Sequence, residues 1–177
     1  MDGVGLRYRC FTALAALLLL AGCNEAACPT PDLIQVPLLD DAEKSALGAY
    51  LARHADLRPA AEPDCGCDDE IAQMRNGLNG GGGPDYEPFV ARGDFNGDGE
   101  EDFAVILLED RAGQRPDARL VVFNGPDFAP AAEFRFPFAK YNALFFNDGV
   151  LKVGAFYSEA CVYAPDGATY REECGEE

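Results

Sequence analysis

Side-chain oxygens recur through the segment Gly93-Asp94-Phe95-Asn96-Gly97-Asp98-Gly99-Glu100-Glu101-Asp102. Counted from Asp94, the oxygen-bearing residues Asp94, Asn96, Asp98 and Asp102 stand at positions one, three, five and nine. Alternate spacing on a tightly curled loop turns such oxygens inward. Gly99 at position six permits the sharp bend, and the Glu100 carbonyl at position seven adds a backbone oxygen. This hard-oxygen set suits one structural Ca2+ with water completing the shell, whereas magnesium wants stricter octahedral geometry and keeps its waters. A metal-free acidic turn is the plainer alternative, because Asn-Gly and Asp-Gly are common turn dipeptides. Four oxygen side chains and a glycine at position six, set between two apolar runs, favour calcium.

The loop is not an EF-hand, since position twelve is Val105 where that motif needs a bidentate Glu. The stretches Gly93–Gly99 and Asp102-Phe103-Ala104-Val105 instead resemble the calcium loop of FG-GAP and VCBS-type repeats. In those integrin-like units a strand, the loop and a second strand form a hairpin. The resemblance covers roughly residues 88–124 and implies Asp94, Asn96, Asp98, the Glu100 carbonyl and Asp102 as ligands. A propeller of such repeats needs several blades. With one loop, the resemblance implies a metal-stabilised hairpin, not a full propeller and not an adhesion function.

Cysteine is the second chemical element. The run Phe11–Leu20 is apolar, follows Arg7 and Arg9, and ends Leu20-Ala21-Gly22-Cys23. It is too short for a comfortable membrane span and suits the core of a secretory signal. The ending resembles the lipobox of bacterial lipoproteins, which implies cleavage before Cys23 and lipidation on it. Asn24, where Asp would be a retention signal, resembles outer-membrane sorting if the cell has two membranes. Cys10 leaves with the signal. Cys28, Cys65, Cys67, Cys161 and Cys174 remain in an oxidising compartment, where disulfides are expected. Cys161 and Cys174 flank the last hairpin and can staple it, and Cys28 can pair with Cys65 or Cys67. A redox pair or zinc site at Cys65-Gly66-Cys67 is the alternative, without a thioredoxin-like pattern or enough further ligands to support it.

Other catalytic candidates are weaker. His54 is the only histidine, no Gly-x-Ser-x-Gly is present, and the residue reads as a cation at a helix C-terminus. The acid pairs Glu109/Asp110 and Glu172/Glu173 are expected in solvated turns rather than as glycosidase carboxylates. Phe134, Phe136, Phe138, Tyr141, Phe145 and Phe146 read as core rather than as a sugar-binding surface. Gly80–Gly83 lacks the Gly-Lys-Ser/Thr ending of a phosphate loop.

The elements that must position these residues divide the chain into residues 1–22 (signal), 23–39 (lipid-anchored tether), 40–79 (helical segment) and 84–177 (β domain). Asp40 or Asp41 caps a first helix with the apolar stripe Leu47, Tyr50 and Leu51, and a second helix is expected over Asp68–Arg75. The run Asn79-Gly-Gly-Gly-Gly-Pro84 breaks regular structure. Strands are expected at Pro88–Arg92, Asp102–Leu108, Arg119–Asn124, Ala131–Phe136, Ala143–Phe146, Leu151–Tyr157, Ala160–Ala164 and Thr169–Glu172, with a hairpin turn at Asp166-Gly167. Phe103–Leu108 and Leu120–Phe123 are apolar throughout, which predicts strands buried on both faces. The expected fold is α+β: short N-terminal helices over one face of an antiparallel meander that carries the calcium-loop hairpin.

The 177 residues suffice for one domain. Net charge is −17, and loss of residues 1–22 leaves 12 basic against 30 acidic groups, −18. Such a surface disfavours nucleic acid. The expectation is a non-enzymatic, calcium-stabilised envelope lipoprotein, held to membrane by its lipid, that binds or scaffolds a protein or glycan partner. A small periplasmic enzyme, either a hydrolase or a thiol oxidoreductase using Cys65/Cys67, is the alternative.

Overall fold

The computed structural model describes residues 36, 38–77, 82–110, 114–156 and 160–175. The expected signal, Cys23, Cys28 and nearly all of the tether lie outside them. The described chain runs α1 (Asp41–Leu51), β1 (Leu57–Pro59), α2 (Glu62–Cys65), α3 (Asp68–Arg75), then β2 (Val90–Gly93), β3 (Asp102–Glu109), β4 (Asp117–Asn124), β5 (Ala129–Pro137), β6 (Asn142–Asn147), β7 (Val150–Ala155), β8 (Ala160–Asp166) and β9 (Thr169–Glu173).

Helix α1 begins with a capping box. Asp40 accepts from the Ala42 and Glu43 amides, and Glu43 Oε2 accepts from the Asp40 amide at 2.7 Å. Leu47, Tyr50 and Leu51 form one buried stripe. The helix ends at Leu51 with Ala52 as its cap, so Arg53 and His54 lie beyond its last turn. This corrects the helix-end reading of His54, whose ring stacks on Tyr50 at 4.3 Å.

The strands form two antiparallel sheets where a single meander was expected. In the first, β3 pairs with β4 and β4 with β5, while β1 and β2 lie end to end along the other edge of β3. The changeover is at Ile106: its carbonyl accepts from the Ala60 amide and its amide donates to the Phe89 carbonyl. The second sheet is the meander β6–β9. Its last turn falls at Gly167-Ala168, since Asp166 pairs with Thr169.

Two sheets follow from the sequence of β3 and β4. Both strands are buried along almost their whole length, so both faces of the first sheet need cover. On one face Phe103, Val105, Leu107, Val121 and Phe123 pack with the α1 stripe and with Val36 and Leu39. On the other, Ala104, Ile106, Leu108, Leu120 and Val122 meet Leu144, Leu151, Val153, Tyr163 and Tyr170 of the second sheet, joined by Ile71 of α3. The helices therefore do not share one face. Strand β1 also falls inside the expected helical segment and ties it to β3.

Candidate metal centre

The expected loop spans the eight residues between β2 and β3, whose ends pair Gly93 with Asp102. A side chain at position 93 is excluded, because a Cβ would stand 2.3 Å from Phe146 Cε1. Phe95, the second loop residue, is buried and packs edge-on against Phe146 at 4.7 Å. Arg92 donates to Glu43 Oε1 at 2.9 Å and also pairs with Glu101, tying the loop to the start of α1.

Within the loop the acidic oxygens accept from the backbone. Asp94 Oδ1 takes the Gly97 and Asp98 amides at 2.7 and 3.1 Å, and Oδ2 takes the Gly99 amide at 2.9 Å. Asn96 Oδ1 accepts from the Asp98 amide, and Asn96 Nδ2 donates to Asp98 Oδ2. The Glu100 amide donates to Asp98 Oδ1 at 2.8 Å. Gly97 and Gly99 hold positive φ values of 78° and 90°, which complete the curl. Asp102 closes it from the base: Oδ2 accepts from the Phe95 amide and Oδ1 from the Gly125 amide, both at 2.9 Å.

Asp102 is fully buried. Burial raises its pKa, the amides of Gly125 and Phe95 oppose that rise, and the charge of Asp98 adds to it. The same field acts on Tyr170, whose hydroxyl donates to Asn124 Oδ1 at 2.8 Å. Burial, followed by the charge of Asp102, raises its pKa. The loop thus gathers hard oxygen donors, each carboxylate oxygen keeping lone-pair capacity beyond its amide bonds. No three of its carboxylates bring oxygens within 4.8 Å of one another. Among the described residues the trio that does is Cys161, Glu172 and Cys174, and its two cysteines form a disulfide.

The described cysteines form two bridges, Cys161–Cys174 as expected and Cys65–Cys67 with each other. The second corrects the expected pairing of Cys28 with either residue. Gly66 between them adopts φ 61°, a left-handed conformation that turns α2 into α3. Cys65 and Cys67 are buried at 0% and 1% exposure, which closes them to a thiol substrate.

Glu172 and Glu173 of β9 are not arranged as a catalytic couple. Neighbours on a strand point to opposite faces, so Glu172 and Glu173 cannot flank one bond. Glu172 accepts from the Tyr163 hydroxyl at 2.8 Å, Glu173 pairs with Arg171, and Asp110 with Arg58. His54 Nδ1 lies 3.5 Å from Arg119 Nη1, which also reaches Tyr50 and Glu133. Of the expected core aromatics, Phe138 is buried and Phe134, Phe136 and Phe146 pack on the core, whereas Tyr141 is 44% exposed.

Gly125 is the site residue that sequence reasoning missed. A Cβ there would stand 2.5 Å from the Glu101 carbonyl oxygen. Only a glycine lets the β4–β5 turn sit on the loop. Comparison with family models, curated proteins and solved structures finds no match for this chain.

Proposed function

We propose that this chain is an exported lipoprotein, lipidated at Cys23, whose domain is a non-enzymatic, calcium-stabilised module that binds a protein or glycan partner at the cell envelope. The calcium ligands are Asp94, Asn96, Asp98, the Glu100 carbonyl and Asp102. The outer membrane is its place if the cell has two membranes. One observation carries the reading: the loop curls its acidic oxygens onto its own amides and is closed by a buried carboxylate, Asp102. A buried carboxylate without a countercharge raises the free energy of the fold, and a cation relieves that cost. The likeness to FG-GAP and VCBS-type calcium loops supports the same ligands. The binding role is favoured over catalysis because Cys65 and Cys67 are buried as a disulfide and Glu172 and Glu173 lie on opposite faces of β9.

The test is the melting temperature of the mature chain in calcium, in magnesium and in EGTA. Calcium at a hundredfold excess over its Kd adds about 2.7 kcal/mol to stability, and magnesium adds less. Equal melting temperatures in calcium and EGTA would overturn the metal assignment. A pull-down from envelope extract, with and without calcium, reads the partner; loss of every partner in both conditions removes the binding role.

A further inference from the structure

A cleft of about 350 Å³ opens where the segment before β2 crosses the edge of the second sheet. Its volume is within the range of small-ligand sites, which starts at roughly 300 Å³. Tyr86 comes from that segment, Phe145 and Asn147 from β6, Lys152 from β7, and Phe156 follows β7. Three of these residues carry rings that pack on one another as a cluster. Tyr86 and Phe145 are near parallel with centroids 6.3 Å apart, Tyr86 and Phe156 are 6.4 Å apart, and Phe145 and Phe156 are 5.5 Å apart.

Among the described residues, the charges around the cleft are matched except at one point. Glu87 pairs with Arg75 at 3.2 Å, and Arg92 pairs with Glu43 and Glu101. Lys152 stands opposite Phe145 in the β6–β7 register, so it shares that ring's face of the sheet. Among the described residues Lys152 has no ion pair and no side-chain hydrogen bond. On a chain of net charge −17, a cation unmatched among the described residues and set beside aromatic rings selects for a local anion. The Tyr86 hydroxyl oxygen is buried and has no hydrogen-bond partner among the described residues. A buried hydroxyl left unpaired is unfavourable.

We propose that this cleft binds an acidic sugar, a uronic-acid unit, with the apolar face of the sugar ring on Phe145 and Phe156 and its carboxylate on Lys152. Asn147 and Glu87 meet the ring hydroxyls. The polar side chains of Asn147 and Glu87 beside the rings match a ligand ring that carries hydroxyls, which an aryl acid lacks. The assignment rests on the glycan branch of the proposed function and needs neither the lipid anchor nor calcium.

Calorimetric titration of the mature chain with D-glucuronic acid, D-glucose, 3-phenylpropionate and a glucuronate-terminated tetrasaccharide tests it, each in calcium and in EGTA. Glucuronic acid is expected to saturate with a Kd at least tenfold below that of glucose. Lys152→Met brings the two sugars to equal affinity without moving the melting temperature, and Phe145→Ala weakens both. Asn147→Ala, at an exposed position, weakens both sugars even if Phe145→Ala fails to fold. A tetrasaccharide tenfold tighter than the monomer identifies a glycan as the source, and equal affinities identify the free acid. Equal affinity of the native chain for glucose and glucuronic acid, no saturation by either, tighter binding of 3-phenylpropionate, or a preference untouched by Lys152→Met would each overturn it. Glucuronic-acid binding that persists in EGTA, on a chain whose melting ignores calcium, keeps the cleft and removes only the calcium reading.

Discussion

The Gly125 amide donates a 2.9 Å hydrogen bond to Asp102 Oδ1, joining the turn after β4 to the first residue of β3, 23 positions earlier. The other oxygen of that carboxylate holds the Phe95 amide. One buried side chain therefore fixes both the base of the candidate calcium loop and the turn packed against it. The loop's shape is a property of three strands rather than of the β2–β3 hairpin alone.

Replacing Gly125 tests the packing half of this relationship. Gly125→Ala forces a methyl against the Glu101 carbonyl oxygen, 2.5 Å away. Overpacking of this kind costs about 1–3 kcal/mol, which a shift in the urea midpoint will measure. Gly83→Ala meets no atom within 4 Å, and is expected to change stability by less than about 0.5 kcal/mol.

Removing the carboxylate tests the polar half. In EGTA, Asp102→Ala leaves the Phe95 and Gly125 amides without acceptors, at about 1–3 kcal/mol for each unsatisfied group. Asp94→Ala removes three acceptor contacts, but Asp94 is exposed and water replaces them. Chemical denaturation of the metal-free variants should therefore rank Asp102→Ala as the more damaging, although Asp94 makes more bonds.

Glu43 carries a pH signature. Burial raises its pKa, opposed by the Asp40 amide and by the charge of Arg92. A carboxyl whose folded pKa is raised adds stability fully below its unfolded value, near 4.5, and loses it as pH climbs through the higher folded value. Glu43→Gln does not titrate. The melting temperature of the variant minus that of the native chain should thus become more positive from pH 4 to pH 7. A flat difference across that window would show that the carboxylate is fully compensated.

The two disulfides should separate under reductant. Cys174 is exposed, whereas Cys65 and Cys67 lie within the core between the sheets. Exchange requires an attacking thiolate to reach sulfur. Alkylation and mass mapping in dithiothreitol under native conditions should label Cys161 and Cys174 first. Cys65 and Cys67 should become labelled only as the domain unfolds.

Much of the local structure was legible. Strands β2 to β9 fall where runs of apolar and alternating residues stand between turn signals, and α3 spans the expected Asp68–Arg75. The capping box of α1 is written in Asp40 and Glu43 themselves. Strand β1 was not legible. Leu57-Arg58-Pro59 is three residues long and ends in proline, so only the free edge of β3 makes it a strand. Short α2 was missed for a related reason, because a four-residue helix has too few positions to show a period.

The sequence by itself determined the loop's donor set, its two turning glycines, and the double-sided burial of β3 and β4, because each depends on spacing within a few residues. Tertiary structure alone decided which surfaces cover those strands, that Cys65 joins Cys67, and that Gly125 reaches Asp102. It also decided that Tyr86, Phe145 and Lys152 share a cleft. These depend on contacts between residues far apart in the chain, and such contacts are selected by the shape and volume of the whole core rather than by any local pattern.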